Sequence, residues 1–127
     1  MNQAVIGFGS NIDPQRNIQK AKITLGRKFR IIAESEFKVT KPIGDDQQPD
    51  FINGTVLIET EIGIDQLKIS LKAIESQMGR DHTKDRFSPR TIDLDIVVWN
   101  NNIVDQDFYN REYLRQSVLE LIPGLKY

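Results

Sequence analysis

Apolar and polar residues along this chain follow two periods, and the switches between them predict its elements. Residues 4–8 are almost wholly apolar and run into Gly9-Ser10-Asn11, the pattern of a short buried strand closed by a turn. Asp13-Pro14 is a helix start, with aspartate at the N-cap and proline at the first helical position. Ile18, Ala21 and Leu25 then recur at helical spacing, which predicts a helix to about Leu25 with Gly26 as its stop. Between 29 and 39 the period drops to two. Phe29, Ile31, Ala33, Phe37 and Val39 fall on one face and Arg30, Glu34, Glu36 and Lys38 on the other, as in one long half-buried strand.

Residues 40–49 hold two prolines, a glycine and four consecutive polar residues, the composition of a surface loop. A strand is predicted at 52–61. Leu67, Leu71, Ile74 and Met78, spaced by four, three and four, mark a helix over 65–78 closed by Gly79. A polar loop at 80–89, a strand at 91–99 and a turn at 100–102 follow. Asn110 is placed to cap a last helix from 111 to about 121, ended by Pro123-Gly124. The order strand, helix, strand, strand, helix, strand is the split β-α-β arrangement of ferredoxin-like folds. The expectation is an α+β protein: an antiparallel sheet with helices packed on one side.

Composition narrows the function. With 39% hydrophobic and 28% charged residues the chain reads as one soluble globular domain over 1–127. No apolar run approaches the roughly 18 residues that span a bilayer, and the first nine residues lack the basic region of a signal peptide. The absence of cysteine rules out disulfides and thiolate metal sites. A cytoplasmic monomer without membrane contact is the default expectation. The net charge of −1 disfavours generic polyanion binding, so attraction for phosphate has to come from a local patch.

Such a patch lies in the stretch GRDHTKDRFSPRTIDLDI, which begins at Gly79. Residues i and i+2 of a strand share a face, so Asp93 and Asp95 point the same way with Cβ atoms roughly 6–7 Å apart. Ile92, Leu94 and Ile96 point into the core. Two carboxylates this close repel unless a cation lies between them, and Mg²⁺ takes one or two carboxylates together with substrate phosphates. On spacing alone, a metal site and a solvated strand face carry equal weight. Arg80, Lys84, Arg86 and Arg90 lie just ahead of the pair, and guanidinium forks suit phosphate oxygens. Metals and arginines around one polyphosphate are what phosphoryl transfer needs. No Walker A loop is present, and His82, the single histidine, has no second histidine to share a metal with.

Three motifs carry a resemblance to a known family: Phe8-Gly9-Ser10-Asn11; Thr40-Lys41-Pro42-Ile43-Gly44 through Gln48-Pro49-Asp50-Phe51-Ile52-Asn53; and Arg86-Phe87-Ser88-Pro89-Arg90-Thr91-Ile92-Asp93-Leu94-Asp95-Ile96. Over residues 4–104 the chain resembles the 6-hydroxymethyl-7,8-dihydropterin pyrophosphokinases. The resemblance implies an α-β-α sandwich on a ferredoxin-like core. It implies that ATP and a reduced hydroxymethyl pterin are the substrates and that Asp93 and Asp95 hold two Mg²⁺ ions. Arg80 and Arg90 would join them in catalysis, with Glu75, Arg86 and Ile96 completing the ATP site. Asn53, with the backbone around Thr40, Pro42 and Ile43, would hydrogen-bond the pterin, and Phe51 would stack on it. Arg86 and Phe87 would belong to a loop that closes over both substrates.

The C-terminal part departs from the family. The arginine and second stacking aromatic expected there are not recognisable in residues 104–123, and the segment is shorter. Phe108 and Tyr109 are the favoured substitutes for that aromatic, while Tyr113 is expected to pack its helix against the sheet. The leading reading is an active pyrophosphokinase. The alternative is a divergent member that binds pterin or nucleotide with little catalysis. A nucleic-acid-binding module is disfavoured, because the basic residues alternate with Asp81, Asp85, Asp93 and Asp95.

Overall fold

The computed structural model describes residues 1–42, 44, 47–79 and 91–127. In chain order its elements are β1 (Asn2–Ser10), α1 (Pro14–Lys28), β2 (Arg30–Glu34), β3 (Lys38–Thr40), β4 (Phe51–Thr60), α2 (Ile64–Gln77), β5 (Asp93–Trp99), β6 (Asn102–Ile103), α3 (Asp107–Asn110) and α4 (Glu112–Leu121). The six strands form one antiparallel sheet in the order β2-β4-β1-β5-β6, with β3 also paired to β4. This is the ferredoxin-like order, and β1 is its central strand.

Strand parity sorts the core into two layers. Ala4, Ile6 and Phe8 of β1, Val56 and Ile58 of β4, and Leu94 and Ile96 of β5 pack against Ile18, Ala21 and Leu25 of α1 and Leu67, Leu71 and Ile74 of α2. The other face carries a smaller cluster: Val5, Leu57, Val97 and Val98 under Phe108 and Val118. Helices therefore cover both faces. The one-sided packing expected from the pattern is corrected to the α-β-α sandwich, because α3 and α4 bury the second face. Each fully buried aliphatic side chain contributes about 1.5–3 kcal/mol, so most of the stabilisation comes from the larger layer. Among the described residues no helix is long and apolar enough to cross a membrane.

Several boundaries differ from the sequence expectation. The single strand expected at 29–39 is two strands. A bulge in β2 sets Ile31 opposite Ile58 and Ala33 opposite Leu57, so two residues advance against one. The bulge reverses the alternation: Ile31 packs with the larger layer and Ala33 with the smaller. At Ser35 the strand breaks, and Val39 is exposed rather than facing inward with Phe37. Phe37 lies directly on Gly54, where an added Cβ would come within 2.4 Å of its ring. Gly26 does not stop α1. It lies within the helix, which ends when Phe29 turns to extended backbone. Asp13 occupies the N-cap position with left-handed backbone and no capping side-chain hydrogen bond. Gly79 does close α2, at φ 88°. Asn110 ends the short α3 rather than capping the last helix, whose N-cap is Arg111.

Candidate active site

On the second face of the sheet, β1 presents Gly7 and Gly9 where other strands present side chains. The register aligns each glycine with a residue on either side. Gly9 stands between Asn53 of β4 and Asp93 of β5, and Gly7 between Thr55 and Asp95. With adjacent strands about 4.8 Å apart, Asn53 and Asp93 are separated by about 9.6 Å across a floor of bare backbone. A cavity of about 470 Å³ opens above that floor. Added side chains would crowd the floor: a Cβ on Gly9 would come within 2.7 Å of Asn53 Oδ1 and displace that side chain, and one on Gly7 would press a Val97 methyl at 3.2 Å.

Asp93 and Asp95 both line the cavity, Asp93 half-buried and Asp95 exposed. β6 pairs with β5 only at Val98 and Trp99, so among the described residues no strand covers the outer edge of β5 beside the aspartates. Glu75, almost fully buried on the last turn of α2, covers part of it: its Oε2 accepts a hydrogen bond from the Leu94 backbone N–H at 2.7 Å. The carboxylate grips the residue between the two aspartates and fixes the twist of the strand that presents them. Lys68 and Lys72 share this side of α2 with Glu75 and border the same cavity. This row of polar residues four and three apart on a helix is a signal the apolar pattern of the helix concealed. Ile96 borders the cavity as well, with its side chain packed in the larger layer.

The aspartate pair meets the requirements of a hard divalent cation. Both donors are carboxylate oxygens, they share one strand face, and the glycine floor leaves room for further oxygen ligands from a substrate. Among the described residues no group of three or more histidines, cysteines or acids is arranged around one point.

On the β4 side, Phe51 and Asn53 line the cavity together with Thr40, and the Asn53 side-chain amide donates to Thr40 Oγ1. That bond orients the amide and ties the end of β3 to β4. Pro42 is half-buried and is not among the lining residues. The turn after β1 braces both sides of the site. Ser10 Oγ donates to the Thr91 carbonyl at 2.6 Å, and the Asn11 amide donates to Gln48 Oε1 at 2.9 Å. Gly9-Ser10-Asn11 thus positions the approach to the aspartates as well as the loop before Phe51.

The favoured C-terminal aromatics are corrected. Phe108 is fully buried in the smaller core layer, and Tyr109 packs edge-on against it, with centroids 5.2 Å apart. Tyr113, expected to be a packing residue, lines the cavity. Arg111 lines it too and donates from Nη1 to the Tyr113 hydroxyl at 3.3 Å. The break between α3 and α4 at Arg111 turns both side chains toward the glycine floor. No residue pattern marks that break, which is why the two were missed. Burial pulls the Arg111 pKa down, but the bond to Tyr113 and the charges of Asp107 and Asp105 outweigh it, and the net shift is upward. Asp107 forms an ion pair with Arg111 at 3.7 Å. Burial pushes the Asp105 carboxyl above its ordinary value. The Asp107 backbone N–H opposes this, and the charges of Asp107 and Asp93 reinforce it.

The expectations for Ile43, Arg80, Arg86, Phe87 and Arg90, and for closure of their loop, lie outside the described residues.

Comparison with known proteins bears on a site of this construction. A curated relative from Haemophilus influenzae, named 2-amino-4-hydroxy-6-hydroxymethyldihydropteridine pyrophosphokinase, is 31% identical over 98% of this chain and 84% of its own length. A relative of the same name from Pseudomonas aeruginosa is 33% identical over 83% of this chain and 66% of its own length. The folic acid synthesis protein fol1 of Schizosaccharomyces pombe is 33% identical over 96% of this chain, which matches 18% of that longer protein. The model of one family matches residues 5–123, and the chain belongs to that family, the 7,8-dihydro-6-hydroxymethylpterin-pyrophosphokinases.

Proposed function

We propose that this chain transfers the pyrophosphoryl group of ATP to the hydroxymethyl oxygen of 6-hydroxymethyl-7,8-dihydropterin, releasing AMP on the way to folate. The observation that carries the reading is the pair of cross-strand rows, Asn53–Gly9–Asp93 and Thr55–Gly7–Asp95. A flat bicyclic ring needs a surface without side chains, and the two glycines supply it. Its polar edge needs an amide, which Asn53 supplies, and its faces need aromatic partners. Phe51 and Tyr113 line the cavity and fill that role, each worth on the order of 1 kcal/mol. A ring anchored at Asn53 and lying across Gly9 directs its substituent toward Asp93 and Asp95.

The aspartates would hold two Mg²⁺ ions. When bound, they would supply charge neutralisation for the polyphosphate and acidity to the attacking hydroxyl. The chain's own residues do the positioning. Glu75 holds the aspartate strand in place, Lys68 and Lys72 offer cations to the nucleotide along α2, and Arg111 offers one from the opposite side. Arg80, Arg86 and Arg90 would add further cations around the polyphosphate. In the reaction a bond forms between the pterin oxygen and the β-phosphorus, and the bond from that phosphorus to the α–β bridging oxygen breaks. AMP leaves with the bridging oxygen, and the hydroxyl proton passes to solvent. A cysteine-free chain suits the reducing cytoplasm.

The test is AMP release from ATP and Mg²⁺ with and without the hydroxymethyl pterin. Pterin-dependent AMP, with the pterin diphosphate as co-product, is the expected result. AMP at the same rate without pterin, or none with it, refutes the assignment.

A further inference from the structure

Beside the cavity, which Ser117 lines, three hydroxyls meet. Ser35 follows β2 at the strand break, Thr55 belongs to β4 and Ser117 to α4, and all three are buried. Their protons can be assigned. Ser35 Oγ donates to the Glu36 carbonyl at 3.1 Å and accepts from the Thr55 backbone N–H at 2.8 Å. Ser117 Oγ donates to Ser35 Oγ at 2.8 Å. A hydroxyl has one proton, so in the 2.7 Å contact between Ser117 and Thr55 the donor is Thr55. The result is a one-way relay, Thr55 to Ser117 to Ser35 to the Glu36 carbonyl. Glu120, one turn beyond Ser117, accepts from the Glu36 N–H at 3.0 Å.

Polar contacts of this kind fix position more sharply than aliphatic packing, which tolerates sliding. Tyr113 and Ser117 are four residues apart on α4 and so lie on one helix face, about 6 Å apart along the axis. Asn53 and Thr55 are two apart on β4 and share a face at about 6.8 Å. The helix crosses the strands: Leu114 lies over Gly7 of β1, Ser117 on Thr55 of β4, which is paired to Gly7, and Glu120 at Glu36 just beyond β2. Ser117 meets Thr55, Val118 shares a core layer with Leu57, and Tyr113 lines the same cavity as Asn53. Where Ser117 is locked on Thr55, Tyr113, one turn earlier on the same helix, is therefore held at the glycine floor.

We propose that Ser117 is a positioning residue for the substrate site: through the hydroxyl relay it sets the register of α4 on β4 and thereby holds Tyr113 and Arg111 over the glycine floor. The proposal rests on the reading of that floor as the pterin site. Ser117 touches no substrate, and its effect passes through Tyr113.

The experiment compares wild type, Ser117→Ala, Ser117→Thr and Thr55→Val, with Ser117→Ala repeated in a Tyr113→Ala background. Pterin affinity is titrated directly, steady-state AMP release is measured for both substrates, and thermal unfolding is followed in each. Ser117→Ala should weaken pterin binding roughly fivefold, the scale of one buried hydrogen bond. KM for ATP and kcat should stay within about twofold, and Ser117→Thr should restore the pterin term. Thr55→Val, which breaks the relay from its other end, should repeat the loss and reads the same register if Ser117→Ala does not fold. In the Tyr113→Ala background, Ser117→Ala should add nothing. Unchanged pterin affinity in both Ser117→Ala and Thr55→Val overturns the proposal. So does a full Ser117→Ala effect without Tyr113. A wild type that binds no pterin refutes the functional reading itself, and the positioning role falls with it.

Discussion

The two faces of β1 are one residue apart in sequence and opposite in construction. On one face Ala4, Ile6 and Phe8 are packed under α1 and α2 with almost no exposure. On the other, Val5 is buried, Gly7 lies beneath Val97 and Leu114 of α4, and Gly9 leaves the sheet without a side chain. Stability and chemistry are thus divided by strand parity rather than by region of the chain. The same division runs through β5, where Leu94 and Ile96 pack in the core and Asp93 and Asp95 line the cavity, and through β4, where Val56 and Ile58 pack in the core and Phe51 and Asn53 line the cavity. A strand read this way tolerates functional residues at every second position, because the intervening positions anchor it.

Substitutions on opposite faces should separate the two properties. The largest effect is expected from Ile6→Ala, which removes a fully buried side chain beside Gly7. It should lower unfolding free energy by about 2–5 kcal/mol in urea titration, while KM for both substrates at a temperature well below melting stays near wild type. A large KM change without loss of stability would break the division. Next is Asp95→Asn. Removing one ligand charge should cut turnover by about a hundredfold or more, with the melting temperature unchanged or raised because a like-charge pair is relieved. Near-wild-type turnover at ordinary Mg²⁺ would remove the metal role. Gly9→Ala comes third. Its methyl meets Asn53 Oδ1 at 2.7 Å on the site side only, so KM for pterin should rise about tenfold with a smaller loss of stability. The smallest effect sharpens the comparison within the C-terminal helices. Tyr113→Ala should weaken pterin binding several-fold, and Tyr109→Ala should leave it unchanged, as titration with the pterin would read. The reverse result would return the stacking role to the residue favoured on sequence grounds.

The sequence carried the parity and lacked the places where parity is interrupted. The alternation through Asp93, Asp95 and their apolar neighbours was plain, as were the α2 spacing and the Gly79 stop. The bulges were not. Ile31 and Ala33 are two apart and were assigned one face, yet the extra residue between them sends them to opposite layers. A bulge is set by the pairing of two distant strands, so neither strand alone announces it. β5 behaves alike: Val97 is extra opposite the Val5–Ile6 step, and Val97 and Val98 both join the smaller layer. In the C-terminal part the aromatics were visible, but their use depended on the break at Arg111. Phe108 looked free on a predicted loop and is instead the largest fully buried side chain. The glycines of β1 read as an ordinary turn signal, since nothing in a single strand tells that its neighbours bring an amide and a carboxylate to either side.

The break at Ser35 also governs how the molecule meets its own copies in concentrated solution. An unbroken strand from 29 to 39 would have offered an edge of about eleven residues, long enough to recruit a matching edge from a second chain. The break instead leaves outer strands of five and three residues, offset by a residue whose hydroxyl faces inward. Exposed Arg30, Glu34 and Lys38 lie on those strands. Intermolecular pairing along either piece would have to bring these charges together and could extend only a few residues before reaching the kink. The hydroxyl cluster that seats the last helix is, on this count, also a guard against fibril growth from the sheet's outer edge.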